Sequence, residues 1–221
     1  MIFYFYKKIR GRELVLDKNL SNVDIMIYCI SFLIMYIRGV VYCYVGVFLG
    51  KGVCLRGVSK LKLGKGTKIG RYCTIDAIGT NGIVCGRAFT VGEFSTIKVS
   101  GSLCNLGKGI IIGDNVGIGE FAHIGGAGGL IIGDDTIIGS YFSAHPENHI
   151  FHNQDILIRN QGVTHQGISI GKNCWIGAKV TLLDGAIIGD RCVIAAGAVV
   201  KGQFPSGCVI GGIPAKVLKT I

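Results

Sequence analysis

Four of the five histidines fall in one stretch, residues 144–167, AHPENHIFHNQDILIRNQGVTHQG. Imidazole exchanges a proton near its ordinary pKa of ~6.5, so a histidine free of the core can act as a general base at neutral pH. His145 is the first candidate, because it stands where a regular pattern breaks off and need not be buried; a plain surface histidine is the alternative. Glu147, Asn148 and His149 follow at once and are candidates to orient that base or contact a substrate, with His149 the rival base. His145, His149 and His152 also show ligand-like spacing, but no cysteine or carboxylate completes a set, and no metal is expected. His165 reads as part of the packing of the stretch. His123 lies apart and is either an outward-facing side chain or a substrate contact. No G-x-S-x-G elbow occurs, so a covalent acyl-enzyme is not indicated. The glycine run at 125–129 lacks the lysine and the helix of a phosphate loop and reads as a turn that widens the chain's path.

The elements that must hold these residues follow a period of six. Aliphatic residues recur at Ile170, Ile176, Leu182, Ile188, Ile194 and Val200, with glycine directly behind the first two and the fourth. Neither a helix nor a lone strand has this period, but a coil with flat sides does, each hexapeptide forming one side and pointing its lead residue inward. Earlier leads are Leu63, Ile69 and Ile75, then Cys85, Val91 and Ile97, then Ile112, Ile118, Ile124, Ile132 and Ile138. Segments 76–84 and 100–109 are irregular. Three hexapeptides to a turn give roughly six or seven coils. The expected organisation is a basic and hydrophobic helical segment over 1–50, a parallel β-helix over 51–202 with an extended loop at 144–167, and a tail at 203–221 with turns around Pro205 and Pro214. Trp175, the only tryptophan, closes its repeat and should face outward.

The repeats, the S-A-H-P-E-N-H segment, I-G-K-N-C-W-I-G-A and the closing G-G-I-P-A-K-V-L-K together resemble the hexapeptide-repeat acyltransferases. Within them they resemble the O-acetyltransferases of exopolysaccharide, capsule and O-antigen synthesis, related to the galactoside and maltose acetyltransferases. The resemblance covers about residues 38–221. It implies an all-β fold of left-handed hand, an exception to the usual right-handed crossover, together with a homotrimer, acetyl-CoA as donor and active sites between subunits. It makes His145 the catalytic base for direct transfer to a sugar hydroxyl. It places the pantetheine arm beside Trp175, with Ala178, Ala196 and Gly197 letting it approach the backbone, and it offers Lys201, Lys216 and Lys219 to the CoA phosphates. Relatives carry a threonine-lysine pair where Lys201-Gly202 stands here.

Composition bounds the partners. A net charge of +10 with only 16% charged residues favours an anionic cofactor or an acidic membrane surface. The basic residues are scattered and not interleaved with aromatics, which argues against nucleic acid. Nine cysteines, an odd number without a C-x-x-C pair, read as reduced thiols of a cytoplasmic protein. Lys7, Lys8, Arg10 and Arg12 precede an apolar run over 25–49 that carries Arg38. A helix there, to about Ile37, lies peripherally on the cytoplasmic face of the inner membrane, through residues 1–49, caps the open end of the coil, or spans the membrane with Arg38 near the middle of the run. The acceptor is then a sugar or lipid-linked oligosaccharide. Rival readings are N-acetylation of an amino sugar, a serine or antibiotic acceptor, a hexapeptide-repeat carbonic anhydrase, and a non-enzymatic scaffold.

Overall fold

A lead residue every six positions can be buried only if the chain turns a corner after each one, and it does. The computed structural model describes residues 16–42, 44 and 46–221; Lys7, Lys8, Arg10 and Arg12 lie outside them. From Phe48 the chain winds as a left-handed β-helix whose three flat sides are three parallel sheets. The first runs from Phe48–Leu49 to Cys208–Gly212, the second from Cys54–Arg56 to Val199–Val200, and the third from Leu61–Leu63 to Gln203–Phe204. Seven coils are complete, and an eighth begins at Cys208. Rungs stack in register, so that Ile118 sits over Val91 and under Ile138.

The leads form the core. Ile69, Ile97, Ile124, Ile176, Leu182 and Val200 are sealed from solvent, while Leu63, near the open end, is only half-buried. Each coil satisfies the backbone of the next, so this narrow core needs no second layer. At Gly177 the coils touch so closely that a Cβ would lie 2.6 Å from the Ala196 nitrogen. Cys73, Cys85, Cys174, Cys192 and Cys208 are free and buried at inward positions, where a thiol behaves as a small apolar group.

Among the described residues an α-helix, Asn22–Val41, precedes the coils. Ser21 caps it, its side chain accepting from the Asp24 amide, as N-cap serines do. The helix runs four residues beyond the expected end near Ile37. Arg38 therefore stands in its last turn and not mid-span, where a cation complements the helix dipole. Phe32 and Tyr36 rest on Phe48, with centroids 5.5 and 5.8 Å apart, and Gly39 abuts the Val47 carbonyl. Tyr44 and Val47, not the body of the helix, close the open end of the core. Most of the helix is exposed, and by length and composition it could cross a membrane.

At the other end the expected tail is more ordered than a pair of turns. Gln203–Phe204 adds a last rung to the third sheet. Cys208–Gly212 then pairs antiparallel with Ala215–Thr220. This hairpin covers the final edge of the first sheet, where an open strand edge would otherwise be exposed.

Candidate active site

Strand alternation sets the geometry. In Ser143–His145 the middle residue, Ala144, is buried, so Ser143 and His145 project outward from the second sheet. His145 thus belongs to a strand and not to the long loop, which begins one residue later, at Pro146. In the neighbouring coil His123 pairs with Ser143 and also faces outward. The imidazoles of His123 and His145 stack with centroids 5.6 Å apart. The Nε2 of His145 lies 2.5 Å from the Ser143 hydroxyl. Burial first, and then the neighbouring His123 ring, hold the His145 pKa below the ordinary histidine value, while Glu147 pulls the other way. The neutral, proton-accepting form is therefore the resting one at neutral pH.

The loop that follows is anchored at both ends. Glu147 Oε2 lies 3.3 Å from Nε2 of His165, and Lys108 donates to the His165 carbonyl. Asn148 and His149 pair antiparallel with Thr164 and Val163, so the stretch leaves and returns as a two-stranded ribbon. Asp184, buried beneath it, accepts from the Thr164 hydroxyl and from the amides of Gln166 and Gly167. The glycine run at 125–129 also serves the loop: a Cβ on Gly128 would meet the Pro146 carbonyl oxygen at 2.0 Å. Among the described residues no group of three or more histidine, cysteine or acidic side chains could hold a metal ion.

The residues proposed for the cofactor occupy the neighbouring side. Trp175 is 60% exposed on the first sheet, beside an equally open Ile137 with which it pairs in register. Ala178, Ala196 and Gly197 lie on the corner that joins the first sheet to the second, and a Cβ on Gly197 would meet nothing within 4 Å. Large apolar surface beside small corner residues suits a slender apolar arm. Lys216 and Lys219 stand exposed on the terminal hairpin of the same sheet. Lys201 does not join them. It follows Val199–Val200, at the corner between the second and third sheets, because the chain turns from one side to the next between these groups. His145 and Trp175 thus lie on two sides of one prism.

Ser143, Lys108 and Asp184 escaped the sequence reading. Only Ser143 had a visible signal, since strand alternation puts it on the face of His145. The other two contact the loop across coils, which spacing does not reveal.

A model described as bacterial transferase hexapeptide (six repeats) matches residues 167–202. An Escherichia coli protein named for lipopolysaccharide biosynthesis O-acetyl transfer, WbbJ, is 34% identical over 136 residues, 58% of this chain and 69% of that protein. Galactoside O-acetyltransferase of Escherichia coli is 34% identical over 92 residues, 42% of this chain and 44% of its own. The chain spans about half the length of several other curated relatives it matches. The crystal structure of AntD, an N-acyltransferase from Bacillus cereus, with dTDP and 3-hydroxybutyryl-CoA superposes with a TM-score of 0.51 at 15% identity, covering 79% of this chain and 80% of that one. At that identity the likeness concerns the fold alone.

Proposed function

Because the chain belongs to the hexapeptide-repeat acyltransferases, we propose that it transfers an acetyl group from acetyl-CoA to a sugar hydroxyl in bacterial surface-polysaccharide assembly, with His145 as general base. The observation that carries this reading is the outward His145 imidazole, kept neutral and with its Nε2 against a hydroxyl. The Ser143 oxygen marks a place at that nitrogen that an acceptor hydroxyl would take. As the acceptor oxygen attacks the thioester carbon, its proton passes to His145. The carbon–sulfur bond then breaks, and the imidazolium returns the proton to the departing CoA thiolate. Such help is worth ~10²–10⁴ in rate.

The slot beside Trp175 would receive the pantetheine arm, with Lys216 and Lys219 near the phosphates. Base and slot lie on different sides, which supports a homotrimer in which His145 of one copy faces the slot of the next. The kinship to WbbJ supports a hydroxyl acceptor. The exposed helix Asn22–Val41 supports peripheral attachment to the cytoplasmic face of the membrane, near lipid-linked sugars. Mass spectrometry of transfer from acetyl-CoA to nucleotide-linked and lipid-linked sugars tests the reaction. Wild type should give acetylated product and His145→Ala at least a hundredfold less; undiminished product from the variant would move the base elsewhere. Product on amino sugars alone would favour N-acetylation.

A further inference from the structure

Four rings climb the corner between the first and second sheets, each three residues after an inward lead: Tyr72, Phe94, Phe121 and Tyr141. Successive centroids are 5.4, 5.3 and 5.0 Å apart, with interplanar angles of 15°, 9° and 7°. Atoms in contact sit about 3.5–4.0 Å apart, so rings this parallel with centroids 5.0–5.4 Å apart are slipped along one another. Their outer edges and the slipped margins of their faces are what solvent reaches, each residue being 47–52% exposed, and the Lys179 ammonium lies 6.0 Å from the Tyr141 centroid at the end of the row.

The corner does not require rings. All four residues have φ between 55° and 60°, a region that bulky side chains avoid. At the corner between the third and first sheets the same twist is carried by Ala88, Asn115, Asp135, Asn173 and Arg191, and in the coil after Tyr141 the rings' own corner carries Lys179. An unbroken row of four half-exposed rings, at a kind of corner that elsewhere carries small, polar or basic residues, points to use by a ligand.

The neighbouring column indicates which ligand. Cys73, Ser95, Ala122 and Phe142 point into the core, so the residues on either side of each face outward together. Every ring therefore stands beside a hydrogen-bonding group: Tyr72 by Thr74, Phe94 by Thr96, Phe121 by His123, and Tyr141 by Ser143. Thr74, Thr96, His123 and Ser143 are in register across the sheet, and His145 completes the last rung. A strip of exposed aromatic surface beside a row of hydroxyls and imidazoles matches a sugar, whose C–H face is apolar and whose rim is polar.

We propose that Tyr72, Phe94, Phe121 and Tyr141 form a track for an extended carbohydrate acceptor, leading along the second sheet to His145. This rests on the acetyl-transfer reading and deepens it, since three inter-strand spacings, about 14 Å, exceed one sugar ring. The track runs from the coil of His145 toward the coils where Phe32 and Tyr36 rest on Phe48. A glycan chain held at that end reaches the base along it.

Isothermal titration of the full chain with oligosaccharides of one, three and six units, built from glucose, mannose or N-acetylglucosamine, tests the track. At least one series should gain tenfold or more in affinity from one unit to six. In a double variant Tyr72→Asn and Phe94→Asn, using the residue the opposite corner tolerates, that gain should fall below threefold; Phe94→Tyr should preserve it. No gain with length in any series, or a gain that survives the double variant, overturns the proposal. So does a drop in the mass of the double variant by light scattering, which would make the rings a seam between copies. His145-dependent transfer is read separately: transfer that needs His145 without any gain in affinity with length leaves the reaction standing and removes only the track.

Discussion

His145 owes its low pKa to burial first and to the His123 ring second, against the opposing pull of Glu147. A base must be neutral to work, so the sign is plain: a lowered pKa keeps the enzyme active as pH falls past the ordinary histidine value. The acid limb of kcat/KM should lie below pH ~6.5. His123→Gln removes the repelling imidazole while keeping most of its bulk, and should move that limb upward; an unmoved limb would show that His123 does not influence the base. Ser143 offers a second test. If its hydroxyl only steers Nε2, Ser143→Ala should cost less than tenfold in kcat with acetyl transfer retained. A loss as deep as that of His145→Ala, with an acetylated peptide in the wild type alone, would instead make Ser143 an acyl carrier.

Among the elements, the ribbon after Pro146 depends on one buried carboxylate. Asp184 accepts from the Thr164 hydroxyl and two loop amides, next to the rung that carries Leu182. Replacing it with alanine leaves those donors without their acceptor, and an unmet buried donor costs about 1–3 kcal/mol. Asp184→Ala should lower stability by that order in urea unfolding and open the 146–167 segment to protease. Unchanged cleavage would mean that the clasp at Glu147 and His165 holds the ribbon alone. Thr164 and Asn148 keep this ribbon beside the rung of His145, so on the proposed reaction a loosened loop should also raise KM for the acceptor more than for acetyl-CoA.

Taken whole, the molecule has a rigid prism with a helix standing at one end and a hairpin closing the other. The helix is about 30 Å long at 1.5 Å per residue and keeps most of its apolar surface outside the protein. The full chain should float with anionic vesicles, and a chain lacking residues 1–41 should not. The cut must stop there, because Tyr44 and Val47 belong to the core. Equal flotation of both chains, or of neither, would leave the helix without a membrane role.

Much of this architecture is legible in the residues alone. The six-residue period names the inward leads, and burial agrees at Ile69, Ile124, Ile176 and Ile194, because a narrow prism admits only one kind of side chain at each inward place. The same period, with alternation along each rung, makes His145 and Trp175 outward-facing. Contacts between coils are another matter, since their partners lie some 20 residues apart and at no fixed interval once loops intervene. The stacking of His123 on His145, the seat of Asp184 under the loop and the row of four rings are decided by which rung lies on which. The winding also sets Lys201 at a corner, away from Lys216 and Lys219 on the terminal hairpin. A local pattern records what each residue must avoid or bury; only the closed winding of the coils decides which outward residues become neighbours.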